Sequence, residues 1–352
     1  MNEKVTVVIA DDSPIVRSVL QNILSSDPGI EVVGVASNGI EALDLVKRLN
    51  PSVLCTDLHM PKMDGMELTR RVMQENPLPI IVISVSVVKD KQQNIFELLD
   101  AGAVDVFAKP SGGFKPDSEE AKELVEKIKI VAGIRVIRKN HSKHQAETRS
   151  KGRVSSPAVI AIGASTGGPQ ILHTIFSQLP EDFPLPILCV QHISTGFLDS
   201  LITWLDESTP LHVAIAHQGE IPKPGHIYFP QENHHLVINN QGRLRNLDSP
   251  PVGNHRPAIN VMFNSLPGYY GKNILTLLLS GMGEDGVEGL QHIARSGGVT
   301  IAQDEATSVV FGMPKAAIAL GIVNKVLSME KIPEAVMRYA LEHSRRSTGT
   351  SA

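Results

Sequence analysis

Three short segments carry side chains that could act as nucleophile, base and acid. The first is Gly163-Ala164-Ser165-Thr166-Gly167, a G-x-S-x-G pattern directly after the apolar run Val159–Ile162. Such a pattern puts a serine on a tight strand-to-helix turn, where small neighbours let the hydroxyl project and leave backbone N–H groups open for an oxyanion. On the turn alone three readings stand: a hydrolase nucleophile, a nucleotide phosphate cradle and a plain structural turn. Against the nucleotide, the spacing is not G-x-G-x-x-G, no acid follows about twenty residues on at a strand end, and no Gly-Lys-Ser/Thr is present. The second segment is Gln191-His192, at the end of the run Leu185–Val190. A strand-end histidine that reaches the serine is a general base, although a lone one is more often a satisfied structural residue. The third is Gly281-Met282-Gly283-Glu284-Asp285-Gly286, opening from Leu275–Ser280. Asp285 there either orients an imidazole or forms an Asp-Gly turn. Taken together, Ser165, His192 and Asp285 read as a catalytic triad. Their order is not that of α/β-hydrolases, where the acid precedes the histidine, so the turn does not imply that fold.

A second constellation lies near the N-terminus. Successive apolar runs end in Asp11-Asp12, Asp57, Ser84 and Lys109-Pro110. Ligands of a parallel sheet bind beyond the carboxyl ends of its strands, so these residues converge on one edge. Clustered carboxylates repel one another and call for a hard divalent cation such as Mg²⁺. A carboxylate shielded in this way is a nucleophile toward phosphorus, with Lys109 to hold phosphoryl oxygens and Ser84 to hydrogen-bond them. Individually the residues have plainer readings. Asp11 and Asp12 precede Ser13-Pro14, an N-cap and first-turn proline, and Lys109 is an ordinary surface cation.

Regular elements must carry these loops. Short apolar runs at Val5–Ala10, Glu31–Ala36, Ser52–Asp57, Pro79–Ser84 and Val104–Phe107 alternate with amphipathic stretches such as Ile15–Leu24, Ile40–Leu49 and Met66–Gln74. This alternation predicts an α/β chain with a parallel, doubly wound sheet over residues 1–133. Residues 134–156, with the basic, aperiodic run Arg138 to Arg153, read as a flexible linker. A second alternating pattern over 157–345 predicts a second doubly wound parallel-sheet domain, with short antiparallel strands between about Val213 and Leu247. The 352 residues suffice for two domains, and 42% hydrophobic with 20% charged content is ordinary for a globular chain. A net charge of -4 gives no electrostatic reason to expect nucleic acid as the main partner, and the lack of a DNA-reading helix pair argues against the alternative of a receiver joined to a transcription output. The two cysteines, Cys55 and Cys189, sit in apolar runs and read as core thiols, which suits a cytoplasmic protein. No run is long enough to cross a bilayer, so no membrane insertion is expected. His234, His235 and His255 lack zinc-ligand spacing and read as surface or substrate-loop histidines.

The run Asp57-Leu58-His59-Met60-Pro61-Lys62-Met63-Asp64-Gly65, with Asp11-Asp12, Ser84 and Lys109-Pro110, resembles the response-regulator receiver family over about residues 1–130. The resemblance implies a five-stranded receiver in which Asp57 is phosphorylated and Asp12, Asp57 and the His59 carbonyl bind Mg²⁺. Asp11 assists there through water, and Phe107 is the switch aromatic. Gly163–Pro169, Val190-Gln191-His192 and Ser280–Gly286 resemble the chemotaxis protein-glutamate methylesterase family, from about residue 157 to 345. That likeness implies a Rossmann-like esterase domain with no cofactor, in which Ser165, His192 and Asp285 demethylate glutamates of methyl-accepting chemoreceptors and deamidate receptor glutamines. The N–H groups of Thr166 and Met282 are expected as the oxyanion donors. A chemotaxis histidine kinase is the implied phosphodonor, and the unphosphorylated receiver is expected to restrain the esterase. Ala258-Ile259-Asn260 and Pro230-Gln231 depart from the family's usual Ser-Val-Asp and Ala-Pro.

Overall fold

The computed structural model describes residues 4–84, 94–109, 117–134 and 158–345. Pro110 and nearly all of the expected linker lie outside the described residues. Two compact units are present, each with its own parallel sheet.

The first unit runs β1 (Val5–Ala10), α1 (Pro14–Ser25), β2 (Ile30–Ala36), α2 (Gly39–Leu49), β3 (Val53–Thr56), α3 (Gly65–Glu75), β4 (Ile80–Ser84), α4 (Asn94–Asp100), β5 (Asp105–Ala108) and α5 (Glu119–Ala132). The strands pair in parallel in the order β2-β1-β3-β4-β5. Val53 to Thr56 and Ile80 to Ser84 are buried throughout, as strands covered on both faces must be. Helix starts are set by side-chain caps: Ser13, Asn38, Asp64 and Ser118 each accept from the backbone three residues on. The free Cys55 is buried in β3, and burial pushes its thiol up to about 12.

The second unit begins with β6 (Val159–Ala164), α6 (Gly168–Phe176), β7 (Ile187–Gln191), α7 (Leu198–Ser208), β8 (His212–Ile215) and β9 (His226–Phe229). A hairpin of β10 (His235–Ile238) and β11 (Leu244–Leu247) follows, then α8 (Ile259–Ser265) and α9 (Pro267–Tyr270). The chain continues through β12 (Ile274–Leu278), α10 (Val287–Arg295), β13 (Val299–Gln303), α11 (Met313–Ala319), β14 (Lys325–Leu327) and α12 (Ile332–Arg345). The main sheet is parallel, in the order β14-β13-β12-β6-β7-β9-β8. The chain first builds outward from β6 through β7, then returns to add β12 on the other side. β6 and its two neighbours therefore form the topological switch point, where ligands of such sheets bind.

One expectation needs correction. Between Val213 and Leu247 only β10 and β11 are antiparallel; β8 and β9 extend the main sheet in parallel. The strands have only four residues each, so the ten residues 216–225 suffice to carry the chain back without a helix. No helix among the described residues is long and apolar enough to cross a membrane.

Candidate active site

Ser165 follows β6, His192 follows β7, and Asp285 lies in the loop after β12, so three adjacent strands deliver the three residues to one sheet edge. The β6–β7 register ends at Ala164 opposite Gln191, and His192 N–H donates to the Ala164 carbonyl at 2.9 Å. Ser165 and His192 are thus the next pair along the same ladder. The Ser165 backbone is held from both sides: its N–H donates to the Ser280 carbonyl at 3.0 Å, and its carbonyl accepts from Gln191 Nε2 at 2.7 Å. Gln191 also donates to the His192 carbonyl at 2.7 Å. Gly281 allows this close approach, since a Cβ there would lie 2.6 Å from Ser165 Cβ and 2.5 Å from Met313 Cε.

His192 Nε2 lies 2.9 Å from Asp285 Oδ2. An ionised carboxylate only accepts, so Nε2 carries a proton, and in the neutral ring Nδ1 is then a lone pair. Nδ1 is buried and, among the described residues, without a partner. Ser165 Oγ likewise makes no hydrogen bond there, so the expected serine–histidine contact is not made in this state, whereas the histidine–aspartate contact is. Asp285 is buried and accepts three further bonds, from the N–H groups of Ile259 (2.7 Å), Asn260 (2.9 Å) and Gly286 (2.9 Å). Burial pushes its carboxyl up, but the His192 bond and charge and the N–H groups of Asn260 and Ile259 outweigh that and hold it below the usual carboxylate range.

Among the described residues the N–H groups of Thr166 and Met282 have no acceptor. The peptide that carries the Thr166 N–H is fixed through the Ser165 carbonyl, and the following one through the Thr166 carbonyl, which accepts from the buried Ser280 Oγ at 2.8 Å. Gly167 takes φ +78°, and a Cβ on it would lie 2.5 Å from Val309. The nine-residue α6 then starts at Gly168 and directs its N-terminal dipole at the turn. A cleft of about 480 Å³ beside Asp285 is lined by His255, Asn260, Glu284, Glu288 and Leu320.

In the first unit, one carboxylate oxygen from each of Asp11, Asp12 and Asp57 lies within 4.8 Å of the others. Lys109 Nζ lies 2.6 Å from Asp57 Oδ2 and 2.8 Å from Asp11 Oδ2. Asp57 Oδ1 accepts from the Leu58 N–H at 2.7 Å. Burial raises the Asp57 carboxyl, opposed by Lys109 and reinforced by Asp11. Burial alone would lower the Lys109 amine, but Asp11 and Asp57 raise it, so the cation persists. Ser84 and Phe107 are buried on neighbouring strands, Ile83 standing opposite Phe107 in the register, and His59 is exposed. Three acids against one lysine leave surplus negative charge on a hard oxygen set, which fits a divalent cation.

A family model described as CheB methylesterase matches residues 160–336, and one described as response regulator receiver domain matches residues 7–115. A protein-glutamate methylesterase/protein-glutamine glutaminase of Nitrosospira multiformis is 37% identical over 98% of this chain and 99% of its own length. A similarly named protein of Geobacter metallireducens is 39% identical over 96% of this chain and 99% of its own. The chain belongs to the CheB methylesterase family. The crystal structure of the Thermotoga maritima CheB methylesterase catalytic domain aligns with 52% of this chain and 98% of that one, at TM-score 0.51 and 38% identity.

Within this CheB-family chain, several contributors to the site escape sequence reasoning. Gln191 was visible only as the residue before His192, and the N–H groups that hold Asp285 come from α8, far away in the chain. Of the three histidines His234, His235 and His255, one needs correction. His235 is fully buried: Nδ1 accepts from Ala258 N–H at 3.0 Å and Nε2 lies 3.1 Å from the Pro250 carbonyl. His255 is half-buried and stacks on His192. His235 is therefore neither a surface nor a loop histidine, whereas His255 lines the cleft beside Asp285. His235 is enclosed because Pro250 and Ala258 bond to its two ring nitrogens from either side.

Proposed function

We propose that the chain is a phosphorylation-activated serine esterase that hydrolyses glutamate γ-methyl esters on chemoreceptors to glutamate and methanol. The observation that carries this reading is His192, bonded to Asp285 through Nε2, with Nδ1 buried and unpartnered among the described residues and Ser165 the next residue after Ala164 on the neighbouring strand. His192 Nδ1 takes the Ser165 Oγ proton as the oxygen attacks the ester carbonyl. The N–H groups of Thr166 and Met282 receive the oxyanion; one such donor is typically worth about 2.7–4 kcal/mol of barrier. As the tetrahedral intermediate collapses, the His192 proton passes to the methoxide and methanol leaves. Water, deprotonated by the same Nδ1, then cleaves the acyl-serine and restores the hydroxyl. With an amide in place of the ester, ammonia leaves instead, which is glutamine deamidation. Both activities stand in the names of the full-length relatives.

In the first unit Asp57 is the phosphoacceptor, with a chemotaxis histidine kinase as donor. Asp11, Asp12, Asp57 and the His59 carbonyl would hold Mg²⁺, which supplies charge neutralisation for phosphoryl transfer. Lys109 binds the phosphoryl oxygens, and Ser84 and Phe107 change their contacts once the phosphate is attached. Residues 1–133 and 157–345 act as separate domains, joined by the linker, in the cytoplasm. Methanol release from methylated receptor membranes tests both halves. Ser165→Ala should release none, and a small phosphodonor should stimulate wild type but not Asp57→Ala. Full stimulation of Asp57→Ala would sink the regulatory half.

A further inference from the structure

The ring of His255 lies almost parallel to that of His192, with centroids 4.0 Å apart and planes 8° apart. Flat rings packed this way restrict each other's orientation. The loop that presents His255 is itself anchored. Val252 and His255 exchange both backbone hydrogen bonds, at 3.0 and 3.1 Å, and the buried His235 holds Pro250 on one side and Ala258 on the other. Arg256 pairs with Asp248 at 3.0 Å, clear of the stack. Among the described residues neither ring nitrogen of His255 has a protein hydrogen-bond partner, so the ring face is its tie to the site. Burial pushes the His255 imidazole down to about 4, His192 adding to this and Asp285 opposing it. A neutral ring can lie on a charged His192 without like-charge repulsion.

We propose that His255 is a positioning residue for the hydrolysis: its ring clamps the plane of His192, keeping Nε2 on Asp285 and Nδ1 open toward Ser165. Without the clamp, a half-turn of the His192 ring about its Cβ–Cγ bond would present carbon to both partners. This inference rests on the reading of His192 as the general base, yet the ring's state can be observed without turnover.

The test uses the full chain with His255→Ala, His255→Gln and His255→Phe. Methanol release from methylated receptor membranes gives kcat and KM, and ¹⁵N NMR of the His192 ring reports its tautomer and orientation. Wild type and the Phe variant should show one neutral tautomer protonated at Nε2, whereas Ala and Gln should show an averaged ring. Loss of the clamp should lower kcat about tenfold or more at little-changed KM, with Phe recovering to within about threefold of wild type. Gln keeps a polar side chain of similar reach and serves if the Ala variant does not fold. An unaltered His192 spectrum in Ala and Gln, or a Gln variant as active as Phe, would overturn the clamp. An altered spectrum with undiminished kcat would leave the ring contact standing but overturn its role in hydrolysis, together with His192 as the base.

Discussion

Replacing Asp285 by asparagine exposes the logic of the site, because the two carboxylate oxygens do different work. Oδ2 accepts from His192 Nε2 at 2.9 Å and Ile259 N–H at 2.7 Å; Oδ1 accepts from the N–H groups of Asn260 and Gly286, each at 2.9 Å. An asparagine must put its NH₂ on one of these pairs. On the Oδ1 side it would face two buried N–H donors and leave both unsatisfied, at about 1–3 kcal/mol each. On the Oδ2 side it would strand the Ile259 N–H and draw a lone pair from Nε2, which shifts the imidazole proton to Nδ1. That atom could then no longer accept from Ser165, and a wrong tautomer of this kind costs on the order of 10⁴ in kcat. Asp285→Asn is therefore expected to lose about 2–6 kcal/mol of stability, or about 1–3 kcal/mol with the larger share of the damage in kcat. Urea unfolding and methanol release on the same preparation measure both. A variant within 0.5 kcal/mol of wild type, a margin of roughly the ordinary surface-substitution scale, and undiminished in kcat would refute the reasoning.

Gly281→Ala should lower kcat by about 10²-fold, because its Cβ would fall 2.6 Å from Ser165 Cβ and displace the nucleophile; methanol release reads this, and wild-type kcat would contradict it. Lys109→Met should destabilise the first unit by about 3–5 kcal/mol in metal-free buffer, since it leaves Asp11 and Asp57 buried and unpaired. Added Mg²⁺ should return part of that loss in a urea titration. Stability should also fall as pH drops from about 6.5 to about 4, because the unfolded chain then binds a proton that half-buried His255 refuses. Below about 4 this contribution levels off, and in His255→Phe the slope across that window should be shallower when unfolding is measured at several pH values.

The strands that position the site are readable from the chain because each is a short, fully apolar run ending abruptly in polar residues. Val159–Ala164 before Ser165 and Leu185–Val190 before Gln191-His192 are such cases, and their burial on both faces leaves little else for them to be. The direction of β8 and β9 is not readable in that way, since a four-residue apolar strand carries no mark of parallel or antiparallel pairing. The surroundings of Asp285 were hidden for another reason. Its partners Ile259 and Asn260 lie 26 and 25 residues away, and nothing in a local window says that two backbone N–H groups of α8 will meet a loop after β12. His255 shows the same limit. Its neighbours in sequence look like an exposed loop, and only the folded chain brings it against His192. Pairing across the fold settled these residues, and periodicity is silent about that.

The claim that Ser165 is the nucleophile can be tested by labelling the intact chain with a fluorophosphonate ester and mapping the modified peptide by mass spectrometry. The label should sit on Ser165, arrive in parallel with the loss of methanol release, and be absent when His192 is replaced by alanine. A label on another residue, or full methanol release from a chain wholly modified at Ser165, would contradict it.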